Sequence, residues 1–314
     1  MLKTFTRNMK KASKMFYKSS PWFKGIIILI AILIASVIVR RNTPIRENFI
    51  QQDKFVSKEG KAIYDGFYAQ IYNELLFDKV KDEYEVGEII NATRPTETSI
   101  VLDIGSGTGQ HVALFNQKGI KTVGVDMSPA MVEISQQNFP AFEYRVGDAQ
   151  QVTLYPADAF THITCLYFTL YYMQNKLRFF KNAYTWLQPG GYLIIHLVNR
   201  DKFDPILNTA DPLHMVSAQR YAKERITSSM VKFKDFQYKA NFILDKPDNL
   251  AFFEETFKDD KTGNVRKQTH KLYMPTQKYI LSLAKSVGFV LQGKIDLLPV
   301  QYEYQFLYIL YKPE

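Results

Sequence analysis

Apolar positions along the chain change spacing four times. Residues 25–39, GIIILIAILIASVIV, are apolar on every face and uncharged. At about 1.5 Å per residue this run reaches roughly 22 Å, against about 30 Å for a hydrocarbon core. Including Pro21 to Phe23, and letting Lys24 and Arg40-Arg41 snorkel, closes the gap. The pattern predicts a basic tail over 1–24, a transmembrane helix over 21–41 and a polar linker over 42–60. A cleaved signal peptide would carry a shorter basic leader and an A-x-A-like site. In 61–92, Ile63, Phe67, Ile71 and Leu75 recur every four residues beside Tyr64, Tyr68 and Tyr72, which predicts an amphipathic helix.

From residue 99 short apolar runs alternate with helical periodicity. Strands are predicted at 99–103, 121–125, 142–146, 160–166 and 191–197. Helices are predicted at 108–117, 129–138, 152–156 and 175–187. Ser128-Pro129 is a helix start and Pro189-Gly190-Gly191 a stop. This alternation predicts a parallel sheet covered on both faces. Residues 200–274 break it. Aromatic-rich runs at 230–243, 250–257 and 265–273, with turn residues between them, predict a three-stranded insertion. A helix at 276–287 and strands at 289–296 and 305–312 close the chain.

The chain has 314 residues, 46% hydrophobic and 23% charged, an ordinary globular balance. Its net charge of +9 is not evenly spread. Residues 1–46 hold ten Lys and Arg and no acid, leaving 30 basic and 31 acidic residues for the rest. A near-neutral body argues against nucleic acid as a partner. The single cysteine, Cys165, excludes a disulfide framework and a thiolate zinc cluster. No metal-ligand spacing is evident around His111, His162 or His196. Basic residues before and after the apolar run lean toward a cytosolic N-terminus, and the acid-free leader is also that of a mitochondrial presequence.

The chemistry gathers around Val101-Leu102-Asp103-Ile104-Gly105-Ser106-Gly107-Thr108-Gly109. An apolar strand ends in an acid and enters alternate glycines at a helix start, where unpaired N–H groups can meet an anion. Gln110 departs from the dinucleotide fingerprint, and no Gly-Lys-Ser/Thr follows for a phosphate loop. Asp126 ends the second strand and Asp148 follows the third. Acids at the carboxyl ends of three successive parallel strands line one crevice, where a ribose and a base can be held.

These segments resemble the class I S-adenosylmethionine-dependent methyltransferases, especially their small-molecule branch. VLDIGSGTGQ (101–110), GVDMS (124–128) and GDAQ (147–150) look like the first three motifs. FTHITCLYFTLYYM (160–173) and LQPGGYLIIHL (187–197) look like the fourth and fifth strand regions. The resemblance implies an α/β, Rossmann-like, seven-stranded mixed sheet in the order 3-2-1-4-5-7-6, with helices on both faces. A methyltransferase domain would then occupy 61–314, with the insertion at 200–274 as a lid.

The resemblance also implies S-adenosylmethionine as cofactor. Asp103, Gly105, Ser106, Gly107 and Gly109 would hold its methionine part, Asp126 its ribose, and Met127, Asp148 and Ala149 its adenine. Cys165 and Leu166 would lie near the sulfonium, and Tyr72, with Tyr64 and Tyr68, would close over it. Tyr171 and His214 are the candidates for a general base. The acceptor is expected to be small or lipid-like. The protein is expected in a membrane as a single-pass chain, its catalytic domain facing the cytosol or the mitochondrial interior, where the cofactor is supplied. A cofactor-binding protein without catalysis and a protein methyltransferase are the alternatives.

Overall fold

The computed structural model describes residues 20–22, 24–26, 28–30, 53–206, 219, 222 and 224–314. Among them no helix is long and apolar enough to cross a membrane. Most of the predicted span lies outside the described residues, as does His214. The chain divides into two compact units, Met1–Asn48 and Phe49–Glu314.

The second unit opens with strand β1 (Phe55–Glu59). This strand falls in the last part of the linker expected over 42–60, where the polar alternation is that of a strand; residues 42–52 lie outside the described residues. A 3-10 turn at Gly60–Ile63 leads into α1 (Gly66–Leu76) and α2 (Lys79–Thr93). The single helix expected over 61–92 is therefore broken. Asp65 caps α1 by accepting the Tyr68 N–H, and Asp78 caps α2 by accepting from Val80 and Lys81. Each cap carboxylate meets N–H groups that a continuous helix would have turned toward carbonyls.

The alternating part follows as β2 (Ile100–Ile104), α3 (Gln110–Gln117), β3 (Lys121–Asp126), α4 (Pro129–Asn138), β4 (Glu143–Val146), β5 (Phe160–Cys165), α5 (Thr169–Tyr172), α6 (Lys176–Trp186) and β6 (Leu187–Val198). The expected helix at 152–156 is only a 3-10 turn, Val152–Leu154. Ser128 and Asn175 cap α4 and α6 through their side chains. After the insertion come α7 (Gln277–Val287) and, in the same sheet, β11 (Val290–Asp296) and β12 (Gln305–Tyr311).

Seven strands form the main sheet in the order β11-β12-β6-β5-β2-β3-β4. The five strands from β6 to β4 run parallel, and β12 runs antiparallel to both its neighbours. Leu102, Ile163, Leu193 and Ile195 are fully buried, as befits strands covered on both faces.

Among the described residues the insertion holds four strands rather than three: β7 (Ser228–Lys232), β8 (Phe236–Asp245), β9 (Leu250–Asp259) and β10 (Val265–Tyr273). The run expected at 230–243 is split by a tight turn, in which the Phe233 N–H donates to the Phe236 carbonyl. β1 adds to the far edge in parallel with β10, making a five-stranded sheet β1-β10-β9-β8-β7. Arg266 of β10 fixes α1 to this sheet. Its guanidinium grips both Asp65 oxygens at 3.0 and 2.9 Å, donates to the Ile63 carbonyl, and lies over the Phe67 ring.

Candidate active site

At the end of β2 the chain turns through Gly105 and Gly107 into α3. Gly105 has φ +71°, and a Cβ there would stand 2.4 Å from Thr169 Cγ2. Only glycine allows this loop to rest against α5. Asp126, at the end of β3, ties the loop to the next helix. Its Oδ2 accepts the Gly107 N–H at 3.0 Å and its Oδ1 the Ser128 N–H at 2.8 Å. Burial pushes this carboxyl up, and the backbone bonds pull it back. Ser128 also donates to the Tyr64 carbonyl at 2.6 Å, anchoring the chain just before α1.

Above these strand ends lies a cavity of about 1390 Å³. Gly105, Gly107, Asp126, Met127, Asp148, Ala149 and Tyr72 all line it. Asp148 accepts the Gln150 N–H at 2.9 Å and faces the exposed Lys61 at 3.7 Å. The Gln150 Nε2 on the same wall is buried without a partner.

Several expected site residues are elsewhere. Asp103 is buried beneath the loop, where it accepts the Thr164 hydroxyl at 2.7 Å. Burial pushes its carboxyl up to about 6, against the pull of His111 and Thr164. Ser106, Gly109, Cys165 and Leu166 are not on the cavity wall. The Ser106 hydroxyl is buried without a partner, Gly109 packs against Tyr144 and Ser135, and Cys165 is fully buried, its thiol pushed up by burial. Tyr171 is also fully buried. Its hydroxyl accepts the Val198 N–H at 2.9 Å, and burial raises its pKa. It is a core residue, one position away from the residue that faces the cavity.

That residue is Tyr172. Its hydroxyl meets His270 Nδ1 at 2.8 Å, and His270 Nε2 meets Glu255 Oε2 at 2.7 Å. Glu255 also accepts the Tyr238 hydroxyl and the Gln268 amide, both at 2.6 Å. Burial would raise this carboxyl, and the bonds from His270, Tyr238 and Gln268 outweigh it, holding Glu255 low and ionised. Tyr64 and Tyr68 pack edge-on or tilted against His270, with centroids at 6.0 and 5.7 Å. Tyr64, Tyr68, Tyr172 and His270 all line the cavity. Thr169 and Tyr172 begin and end the single turn of α5, so the glycine loop and this chain of hydrogen bonds flank one short element.

A second charged cluster lies at the start of α3. His111 meets Glu85 at 2.9 Å and Asp82 at 3.7 Å, and the three groups bring ligand atoms within 4.8 Å of one another. Lys81 stands 2.8 Å from Glu85 and 3.5 Å from Asp82, where a cation would sit. The cluster is an ion-pair network. Burial opposes the His111 cation, but Asp82 and Glu85 hold it up to about 9. Glu85 is held down to about 2 against its burial, chiefly by Lys81 and His111. Asp82 stands farther from both cations, and burial prevails, pushing it up.

Residues 102–195, which carry the glycine loop, Asp126, Asp148 and Tyr172, match the family profile described as Methyltransferase domain. Over these residues the chain is similar to that family. The chain is 32% identical over 143 residues to dTDP-4-amino-2,3,4,6-tetradeoxy-D-glucose N,N-dimethyltransferase of Saccharopolyspora spinosa, covering 44% of this chain. It spans 57% of that relative's length, and about half the length of the next curated relatives it matches. Among solved structures, the CcbJ methyltransferase from Streptomyces caelestis superposes with a TM-score of 0.63 at 14% identity, over 81% of this chain and all of that one. S-adenosylmethionine-bound CalS10, an amino pentose methyltransferase from Micromonospora echinaspora, gives 0.56 at 17%, over 78% and 96%. Both share the fold of this chain.

Tyr172, His270 and Glu255 were not singled out by the sequence, although a signal was present. On β10 the alternate residues Arg266, Gln268 and His270 are all polar and all buried. A strand with hydrogen-bonding side chains on its inward face has partners waiting for them.

Proposed function

We propose that the protein is an S-adenosylmethionine-dependent methyltransferase acting on a small-molecule acceptor. The carrying observation is that Asp126, Asp148 and the glycine loop share one wall of a single cavity. Its volume exceeds the about 300–1,000 Å³ of a one-ligand pocket, which leaves space for cofactor and acceptor together. The residues present fit the cofactor. The Asp126 carboxylate has lone pairs left for ribose hydroxyls after its two backbone bonds. Asp148 and the unpartnered Gln150 amide offer an acceptor and a donor to an adenine edge. Gly107 leaves the backbone open to a close approach.

Bound there, S-adenosylmethionine supplies a methyl group already activated by its sulfonium. The chain's own residues then have three tasks. Asp126, Met127, Asp148 and Ala149 hold the nucleoside in register. Thr169 and the tyrosines of α1 exclude water and align the acceptor with the reacting end. Tyr172 is placed to receive a proton from the acceptor. The sugar-directed names of the relatives, an amino-sugar N,N-dimethyltransferase and an amino pentose methyltransferase, support a small acceptor.

We also propose that residues 21–41 anchor the protein in a membrane, which makes a lipid-like acceptor compatible with it and places the catalytic domain on a side supplied with cofactor, the cytosol or the mitochondrial interior. The uncharged run at 25–39 with cationic flanks supports this. Isothermal titration of the full chain with S-adenosylmethionine and S-adenosylhomocysteine tests the cofactor reading. Saturable binding is expected, and no heat at millimolar ligand refutes it. Protease protection of a tagged protein in intact organelles tests the orientation.

A further inference from the structure

The acceptor end of the cavity has a chemical character of its own. Tyr64, Tyr68 and Tyr172 wall it with aromatic rings at centroid separations of 5.6 Å (Tyr64–Tyr68) and 5.9 Å (Tyr64–Tyr172). Phe253 adds a fourth ring, 5.9 Å from His270. Behind them Glu255 is ionised and fully buried. Its three hydrogen-bonding partners are Tyr238, Gln268 and His270, with no Lys or Arg among them. Aromatic rings and a buried carboxylate with no Lys or Arg beside it both favour a cation.

We propose that this recess is an amine subsite, which receives the acceptor as an ammonium ion and draws off its proton through Tyr172. The proposal rests on the methyltransferase reading for the use made of the amine, but not for the binding of the cation. The groups facing His270 are Glu255 and Phe253 from β9, Tyr172 from α5, Tyr64 from the turn before α1, and Tyr68 from α1. Glu255 fixes the imidazole with its proton on Nε2, which leaves Nδ1 free to accept. The ammonium gives a proton to the Tyr172 oxygen as that hydroxyl gives its own to Nδ1. Tyr172 is neutral before and after, His270 becomes an imidazolium paired with Glu255, and the amine keeps the lone pair that methyl transfer consumes. Tyr172 is the catalytic residue in this scheme, and His270 and Glu255 are positioning residues.

The test uses the full chain and an isosteric probe pair: choline, and its uncharged analogue 3,3-dimethyl-1-butanol. Each is titrated calorimetrically at pH 7.5, with and without S-adenosylhomocysteine. Choline is expected to bind at least tenfold more tightly than the neutral analogue. Glu255→Gln should erase that preference, while Tyr172→Phe, which keeps the ring, should retain it. S-adenosylhomocysteine binding by both variants reports that they are folded. Equal binding of the two probes, or a preference that survives Glu255→Gln in a folded variant, overturns the proposal. Loss of S-adenosylhomocysteine binding by the unaltered chain overturns the methyltransferase reading instead, and the probe pair still decides the subsite.

Discussion

Asp126 accepts two backbone N–H groups while facing the cavity, so its charge serves the loop and the ligand together. Asn at this position would turn an NH2 toward one of those N–H groups. Charge-assisted hydrogen bonds contribute about 1.5–3 kcal/mol, so Asp126→Asn is expected to weaken cofactor binding by roughly 10- to 100-fold, read by titration calorimetry. Tyr172→Phe should leave that affinity unchanged and lower kcat by about 10²–10⁴-fold, the ordinary weight of a proton-transfer group. The difference between these residues is also a difference in legibility. Asp126 could be read because it ends a predicted strand just before the Ser128-Pro129 helix start. Tyr172 and His270 are 98 positions apart, and nothing local joins them. Tyr171 and Tyr172 are adjacent in an aromatic run, where a single helical turn sends the first ring to the core and the next to the cavity.

Elements were legible where one period held and their ends were capped. The Ser128-Pro129 start of α4 and the end of α7 at Val287 lie where the pattern put them. The break at Phe77-Asp78 was hidden because apolar spacing runs on through it, and the only signal was a lone capping acid. β1 was hidden because its partner lies in the insertion. The contact between loop and α5 predicts that Gly105→Ala destabilises the fold by about 1–3 kcal/mol, through both overpacking and a left-handed backbone, seen as a lower midpoint in denaturant. The network between α2 and α3 gives a pH signature. His111 stabilises fully below its ordinary pKa of about 6.5 and ceases to do so as pH rises through about 9. Glu85 stabilises fully above its ordinary value and ceases to do so as pH falls toward about 2. His111→Gln should therefore lower the melting temperature by several degrees near pH 6, and the gap to the unaltered protein should narrow above pH 9.

For the whole molecule, charge and fold divide the chain in the same place. The basic excess lies in residues 1–46, and the compact unit carrying the cavity begins at Phe49. The full chain is expected to float with vesicles containing anionic lipid, and deletion of 1–46 should release it; a full chain that stays in the soluble fraction counts against the anchor. The main sheet was the most legible part of the whole, since alternating strands and helices are a local pattern. The second sheet was only partly so, because its edge strand is supplied from a distance.

That edge strand has a consequence for biosynthesis. Glu59 of β1 pairs with Thr269 of β10, and Arg266 reaches back 201 positions to Asp65. A nascent chain therefore leaves the ribosome with β1 and the tyrosines of α1 long before the strand that receives them has been translated. Until then the aromatic wall has no partner sheet, and chains stalled short of residue 273 should be the forms that chaperones retain.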